Sequence, residues 1–156
     1  MLEQRPRVVF DCMIFLQAAA RRGSPAGACL TLAEQGLLAL FVSPAILAEI
    51  QDVLSRPQIR TRFRQLTDDV VAEFVARIEG IAVRVDEVGT GITLARDPKD
   101  EPYLNLAADC RADYLVSRDR DLLESADTIV ETLPNLRIVD PVVFLAVVRA
   151  QFGSSS

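Results

Sequence analysis

A short apolar run that ends in an acid decides how this chain folds, and it is Arg7-Val8-Val9-Phe10-Asp11. Unbroken apolar runs of this length are typical of strands that are buried on both faces of a parallel sheet. Similar runs occur at residues 38–42, 81–85, 114–117 and 136–139, with helical patterns between them. The alternation predicts a parallel sheet of five strands that is covered by helices.

Capping residues mark where several helices begin and end. Ser24-Pro25 and Ser43-Pro44 each place a serine cap before a proline in the first helical turn, so they predict helices over residues 25–35 and 44–54. Gly36 is expected to end the first of these. The remaining helices are predicted over residues 13–22, 57–63, 67–78 with Gly80 as the terminator, 98–111, and from 141 onward.

The composition limits the kinds of site that the chain can build. Its 156 residues suit a single domain, predicted over residues 1–152, and residues 153–156 are predicted to be a disordered tail. The three cysteines, Cys12, Cys29 and Cys110, are irregularly spaced and are expected to be free, buried thiols. Because the chain has no histidine, a Cys/His zinc site and the histidine-activated nucleophiles are disfavoured.

Charge and hydropathy bear on location and partners. No apolar stretch reaches the ~18 residues of a membrane span, and the polar start lacks the features of a signal peptide, so we expect a cytoplasmic protein with no membrane partner. The net charge of −5, from 22 acids and 17 bases, is unusual for a protein that binds a polyanion. Acids that converge on divalent cations would be neutralised, so the charge balance is compatible with both interpretations.

Acidic residues follow the predicted strands at the same edge of the sheet. Asp11 ends the first strand and Asp119 lies two residues past the fourth, while Asp100 and Glu101 stand where a loop becomes a helix. In an open parallel sheet, ligands bind beyond the carboxyl ends of the strands. We therefore expect these acids to meet at one edge.

Glu49 is predicted to lie on the flank of a buried helical face. Ile46, Ile50 and Val53 define an apolar stripe at helical spacing, and Glu49 falls beside it. An acid at this position needs a partner, which is either an arginine or lysine, or a metal shared with Asp11. Several acids pushed together repel each other, and Mg²⁺ or Mn²⁺ removes that penalty because hard cations prefer oxygen ligands.

Four segments of the chain together resemble the PIN domain, in order, in approximate spacing and in strand or helix context. The resemblance extends to bacterial PIN proteins that are toxins of VapBC-type toxin–antitoxin pairs. The segments are Val8-Val9-Phe10-Asp11, Ser43-Pro44-Ala45-Ile46-Leu47-Ala48-Glu49-Ile50, Arg96-Asp97-Pro98-Lys99-Asp100-Glu101-Pro102-Tyr103-Leu104, and Ala112-Asp113-Tyr114-Leu115-Val116-Ser117-Arg118-Asp119-Arg120-Asp121-Leu122-Leu123.

The resemblance implies a fold, an activity and partners. The fold is a three-layer α/β/α sandwich with a central parallel sheet of about five strands. The activity is endoribonuclease cleavage of single-stranded RNA with Mg²⁺ or Mn²⁺ as cofactor. The implied partners are the RNA substrate, a cognate antitoxin, and a second copy of the chain that contacts apolar surface from residues 26–40 or 142–148.

The resemblance also implies which acids are catalytic and bind metal. The first falls on Asp11, the second on Glu49 and the fourth on Asp119, with Asp121 as a further metal ligand close behind. The third is ambiguous between two neighbours, as described next, and both are retained as candidates.

Spacing back from Asp119 favours Glu101 as the third acid, whereas the Asp-Pro-x-Asp pattern favours Asp100. Either residue has a plainer role as well, since an acid at a helix N-terminus interacts favourably with the helix dipole. Asp97 is expected to shape the loop or cap the helix, and Tyr103 to pack in the core.

Two departures from the family pattern concern the surroundings of Asp11. Met13 cannot hydrogen-bond a carboxylate, so ordering of Asp11 is expected to be weaker. Ser117 keeps the hydroxyl that is usual at its position, and it is also a candidate contact for RNA or a partner.

Three arginines recur at helical spacing, Arg56, Arg60 and Arg64. On a continuous helix they would share one face and offer three guanidinium groups to RNA phosphates or to an acidic partner. A face that is merely solvated is the alternative, and it is favoured for charge runs in general.

Other functions fit the sequence less well. A haloacid-dehalogenase-like phosphatase needs an aspartate where Met13 stands. A receiver domain needs a lysine after a late strand, but the only lysine, Lys99, precedes the fourth strand. The stronger alternative is a PIN-fold binding or assembly module that has lost its catalytic site.

Overall fold

The computed structural model describes residues 5–93 and 97–153. Its strands are β1 (Arg7–Phe10), β2 (Ala39–Val42), β3 (Val83–Arg84), β4 (Tyr114–Val116) and β5 (Arg137–Val139). They form one sheet in the order β3-β2-β1-β4-β5, and every neighbouring pair is parallel. The predicted parallel α/β fold is therefore confirmed.

Helices connect the strands. They are α1 (Cys12–Ala20), α2 (Pro25–Glu34), α3 (Pro44–Leu54), α4 (Pro57–Arg62), α5 (Asp68–Ile81), α6 (Glu101–Asp109), α7 (Arg120–Glu124), α8 (Ala126–Ile129) and α9 (Pro141–Gly153), and a 3₁₀ turn, Pro98–Asp100, leads into α6. Ser24 and Ser43 cap α2 and α3 as predicted, each accepting a hydrogen bond from a backbone N–H of the first turn. No described helix has both the length and the apolar character that a membrane crossing requires.

The order of the strands reverses beside β1. The chain builds β2 and β3 on one side of β1, then crosses over and places β4 and β5 on the other side. The Asp11 N–H donates to the carbonyl of Val116 at 3.1 Å, so the carboxyl ends of β1 and β4 lie side by side. A crevice at such a reversal is the usual place for a ligand in an open parallel sheet.

Burial along the central strands shows that helices cover both faces of the sheet. Val8, Val9 and Phe10 of β1 are all buried, and so is every residue of β4. Because successive strand residues point to opposite faces, continuous burial requires a layer on each side. Helix α6 packs against β1 and β4, and α2 packs against α1 and α9.

Predictions around two glycines had different outcomes. Gly36 has a φ of 76° and follows the end of α2, as expected for a left-handed residue that stops a helix. Gly80 does not adopt positive φ, and α5 continues through it to Ile81, so its predicted role as terminator is wrong. The longer helix leaves a β3 of only two exposed residues, instead of the buried strand predicted over residues 81–85.

The segment after β4 was predicted without helices, yet it contains α7 and α8. Both are too short to show a helical period, and each buries one apolar side chain, Leu122 and Ile129 respectively. The predicted helix over residues 98–111 is divided into the 3₁₀ turn and α6, which ends at Asp109. Gly153 is the last residue of α9, so the predicted tail does not begin there; residues 154–156 lie outside the described residues.

Candidate active site

Asp11 is held rigidly at the carboxyl end of β1. It caps α1, where its Oδ1 accepts from the N–H of Ile14 at 3.2 Å, and only 5% of its surface is exposed. Its Oδ2 accepts a hydrogen bond from the hydroxyl of Ser117, which is completely buried. The Met13 side chain is 45% exposed and takes no part in these hydrogen bonds, so whether a polar residue in its place would order Asp11 better stays a prediction.

Ser117 connects Asp11 to Asp119. While its hydroxyl donates to Asp11, its oxygen accepts from the backbone N–H of Asp119 at 2.8 Å. Asp119 in turn caps α7 through the N–H groups of Asp121 and Leu122. The prediction that Ser117 contacts RNA or a partner is wrong because a fully buried hydroxyl cannot reach either, and its role here is to position the two acids.

Asp100 lies close to Asp11 and Asp119, and one of its two carboxylate oxygens makes no hydrogen bond to a described residue. It ends the 3₁₀ turn and is 7% exposed, and its Oδ2 is buried without a hydrogen-bond partner among the described residues. Burial, and then the nearby charges of Asp119, Asp97 and Asp11, raise the pKa of Asp100 to about 7. Asp100 therefore belongs to one electrostatic cluster with Asp11 and Asp119.

Glu101 lies in a different environment from Asp100. It is half-buried and lines a cavity of about 460 Å³ together with Ser43 and Asp86. The geometry thus favours Asp100 as the third acid, although metal binding by either residue stays a prediction. Asp97 caps the 3₁₀ turn by accepting from the N–H of Lys99 at 3.0 Å, as expected.

Glu49 is linked to the acid cluster by its proximity to two buried side chains, Tyr103 and Cys12. The Tyr103 hydroxyl donates to Glu49 Oε1, and the Cys12 thiol lies within electrostatic reach of both Glu49 and Asp11. Burial, followed by the charges of Glu49 and Asp11, raises the pKa of Cys12 to about 12, which keeps its sulfur protonated and unreactive. The partner that Glu49 was expected to need is therefore Tyr103 in this structure.

The acids repel one another, and the contacts around them do not fully offset the cost of keeping them charged. Burial is the main reason that the pKa of Asp11 rises to about 6, and it outweighs the hydrogen bonds from Ser117 and Ile14. Within residues 5–93 and 97–153, no three acids or cysteines converge into a ready-made metal-binding group. Asp11, Glu49 and Asp119 each have a hydrogen-bond partner of their own, which is Ser117, Tyr103 and the α7 backbone respectively.

A hard divalent cation fits the donors that are present. All of the candidate ligand atoms are carboxylate oxygens, and Asp100 Oδ2 is a buried oxygen for which the described part of the chain provides no hydrogen-bond partner. Such atoms suit Mg²⁺ or Mn²⁺, which prefer oxygen and, for magnesium, need few carboxylates because several waters are retained. Burial is the main cause of the raised pKa of Asp11 and of Asp100, and a bound cation would offset both this cost and the smaller contribution from neighbouring acids.

The three arginines at helical spacing do not share a helical face. Helix α4 ends at Arg62, so Arg64 lies beyond it, while Arg56 only caps its start. Arg56 pairs with Asp52 at 2.9 Å, and Arg60 donates to the Leu54 carbonyl and to Asp68. The prediction of one arginine face is wrong because α4 is too short to carry it.

Two features of the site were missed from the sequence. The hydroxyl of Tyr103 was expected only to pack in the core, and the one available indication was a polar tip on an otherwise apolar helical face. Lys99 and Arg56 line a cavity of about 360 Å³ with Glu49 and Cys12, which places two cations beside the acids. Nothing in the local sequence marks these cations as neighbours of Glu49.

The raised pKa values predict how removal of Asp100 affects stability. A carboxyl group whose pKa is raised by folding stabilises the native state below its unfolded pKa, and this contribution is lost as pH rises through about 7. We therefore expect Asp100→Asn to become more stable relative to the native protein between pH 4.5 and pH 8, by about 1–3 kcal/mol at ~1.4 kcal/mol per pKa unit.

Urea denaturation with EDTA at both pH values measures this difference. Asp127→Asn, which removes an exposed acid of α8, is the matched control and is expected to shift stability equally at the two pH values. A difference for Asp100→Asn that does not change with pH would show that Asp100 is not destabilised in the native state.

Comparison with known proteins identifies the family. A protein-family model described as the PIN domain matches residues 7–121, which span the sheet from β1 to β4 and all the acids discussed above. The search of curated proteins found no match. PIN domains are generally nucleases, and they typically use divalent metal ions. Since the match covers well over half of its residues, the chain belongs to the PIN domain family.

Proposed function

We propose that this protein is an endoribonuclease that cleaves single-stranded RNA with Mg²⁺ or Mn²⁺. The observation that carries the proposal is the proximity of Asp11, Asp100 and Asp119 near the reversal point of the sheet, with one buried carboxylate oxygen that has no hydrogen-bond partner within residues 5–93 and 97–153. Acids in this arrangement lower the stability of the fold, but they are well suited to hold cations next to a phosphodiester.

The proposed reaction is hydrolysis at phosphorus. Asp11, Asp119 and Asp100 would hold the cation, with Glu49 at the side of the cluster. When bound, the cation supplies charge stabilisation to the phosphate and lowers the pKa of the attacking water. Ser117 keeps Asp11 and Asp119 in a fixed relation, and Tyr103 orients Glu49 toward the cluster.

The chemistry of the remaining side chains supports water as the nucleophile. The chain contains no histidine, and its three cysteines are buried, with pKa values raised to about 12 for Cys12 and Cys29 and about 11 for Cys110. Burial likewise raises the pKa of Tyr103, and the Ser117 hydroxyl is engaged by Asp11. No side chain close to the acids is poised to attack phosphorus itself.

A binding module without catalysis is the less favoured alternative. Buried polar atoms in proteins are nearly always hydrogen-bonded, so an unpartnered carboxylate oxygen calls for a function. Asp100 Oδ2 is such an atom as far as the described residues are concerned, and the acids near it make its charge still more costly. A module that had lost its metal would gain stability by replacing Asp100.

We further propose that the nuclease is the toxin of a toxin–antitoxin pair and acts with an antitoxin and as a homodimer. The basis is the resemblance of the four segments to bacterial PIN toxins. Of the two predicted dimer surfaces, residues 26–40 are largely covered because α2 packs against α1 and α9. Val142 and Val143 at the start of α9 are 62% and 46% exposed, so this end of α9 remains the better candidate.

Removal of the central acids should abolish cleavage. We expect Asp11→Asn and Asp119→Asn to lower the cleavage rate of a fluorescent single-stranded RNA in Mn²⁺ by about 100-fold or more, because each variant removes a carboxylate that would hold the cation at the scissile phosphate. Chelation by EDTA should stop cleavage by the native protein, and added Mn²⁺ should restore it.

The control for this experiment is Asp52→Asn, an exposed acid of α3 that pairs only with Arg56 among the contacts described. It should cleave at nearly the native rate. Native rates for Asp11→Asn would reject the active-site assignment, and cleavage of single-stranded DNA but not RNA would reject the substrate class alone.

Tyr103→Phe tests the support given to Glu49. The ring remains packed while the hydroxyl that donates to Glu49 is lost, so we expect a cost of about 0.5–1.5 kcal/mol in stability and a Mn²⁺ affinity about 10-fold lower. Calorimetric titration and urea denaturation measure the two effects. Tyr114→Phe, at a buried tyrosine of β4, is the matched control and should keep the native affinity. Equal affinity of Tyr103→Phe and native protein would show that Glu49 needs no positioning.

A further inference from the structure

A groove of about 700 Å³ opens beside the acid cluster, and none of the described residues that line it is an acid. Its basic side chains are Arg21 at the end of α1, Arg62 at the end of α4, and Arg118 between Ser117 and Asp119. This is unexpected in a chain with 22 acids and a net charge of −5. The groove is therefore a local positive region on an acidic protein.

The guanidinium groups in the groove are not neutralised by acids of the described chain. The ion pairs between described residues use Arg56, Arg60, Arg77 and Arg84, and none of them uses a groove arginine. Arg118 instead donates to the amide oxygen of Gln17 at 3.2 Å, and Arg62 lies 5.2 Å from the ring centre of Phe63. Both contacts direct a full positive charge at the groove.

Apart from the polar side chains of Gln17 and Ser24, the remaining walls of the groove are mainly apolar, and several of their side chains are partly exposed. Met13, 45% exposed, lines it together with Ile59 and Phe63, which are half-buried. Single-stranded nucleic acid combines phosphates, which guanidinium groups bind, with unstacked bases, which pack on aromatic and apolar side chains. The lining thus matches both parts of a nucleotide.

The groove continues into the site already described. The cavity that contains Glu49 and Lys99 shares Met13, Leu16 and Ile59 with the groove, so the two spaces adjoin. A strand cleaved at the acids must extend beyond the scissile phosphate, and the acids themselves repel it. A neighbouring basic groove attracts the negatively charged strand, whereas the acid cluster repels it.

We propose that this groove binds the single-stranded RNA substrate on one side of the scissile phosphate, with Arg21, Arg62 and Arg118 on its phosphates and Phe63 and Met13 against its bases. The inference rests on the proposed nuclease function and names the surface that gives the enzyme its affinity for RNA. The groove arginines take the place of Arg56, Arg60 and Arg64 as the candidate RNA contacts. Arg56 and Arg60 already form ion pairs with acids of the protein itself.

The test is RNA binding by fluorescence anisotropy in the full-length chain carrying Asp11→Asn, which prevents cleavage. We expect Arg21→Ala, Arg62→Ala and Arg118→Ala each to weaken binding of a fluorescein-labelled 12-nucleotide RNA by about 3- to 10-fold. Each lost phosphate contact should also lower the slope of log K against log salt by about 0.7. Circular dichroism establishes that each variant is folded.

The matched control is Arg137→Ala, which removes an exposed arginine at the amino end of β5, on the opposite edge of the sheet. Its RNA affinity should stay within about twofold of the parent protein. In the cleavage-competent background, the groove variants should raise KM more than they lower kcat, because they remove binding of the strand and leave the reacting phosphate untouched.

The outcomes separate this inference from the proposed function. If the native protein cleaves RNA but the three groove variants bind it as tightly as Arg137→Ala does, the groove inference is overturned and the nuclease stands. If the native protein neither binds nor cleaves RNA, both fall together. Binding of a poly-glutamate peptide that depends on the same arginines, with RNA affinity unchanged, would assign the groove to an acidic protein and overturn the inference.

Discussion

Electrostatic repulsion among buried carboxylates is the constraint on which the site depends. The reversal of strand order beside β1 brings the residues after β1 and β4 together, and both segments contribute an aspartate. Ser117 holds Asp11 and Asp119 in place with a single hydroxyl, so the two acids cannot simply move apart. Burial, and to a smaller extent the neighbouring acids, raise the pKa values of Asp11 and Asp100. The cation that we propose for this site would offset that cost.

Acidic and basic side chains occupy separate but adjoining regions of this surface. The acids lie at the carboxyl edge of the sheet, whereas the adjoining groove carries arginines without a neutralising acid in its lining. Arg118 and Asp119 are consecutive in sequence, and yet one faces the groove and the other caps α7. In the function that we propose, this arrangement would let an acidic protein approach a polyanion through one basic groove and bring it to acids that hold a cation.

The parts of the site that follow from strand ends could be predicted from the sequence. Asp11 and Asp119 stand where apolar runs stop, and a parallel sheet brings such positions to one edge. The choice between Asp100 and Glu101 could not be made, because neighbouring residues of a 3₁₀ turn point about 120° apart and the turn itself decides which one faces inward. The parallel sheet of five strands and most helix starts followed from apolar runs and caps, whereas the order of the strands was not predicted.

The groove arginines could not be predicted from the sequence, for a different reason. They come from the ends of α1 and α4 and from the residue before Asp119, which are far apart in sequence, so no local spacing connects them. Spacing instead favoured Arg56, Arg60 and Arg64, on the assumption of a helix longer than the real α4. The hydroxyl of Tyr103 was overlooked because burial was expected to be its whole role.

The most direct measurement is a crystal structure of the protein grown with Mn²⁺ and recorded at a wavelength where manganese scatters anomalously. The account predicts an anomalous peak at the carboxyl ends of β1 and β4, at a metal–oxygen distance of about 2.1 Å from Asp11 and within the reach of Asp119 or Asp100. Ordered, well-defined carboxylates with no peak among them, or manganese bound only elsewhere on the protein, would contradict it.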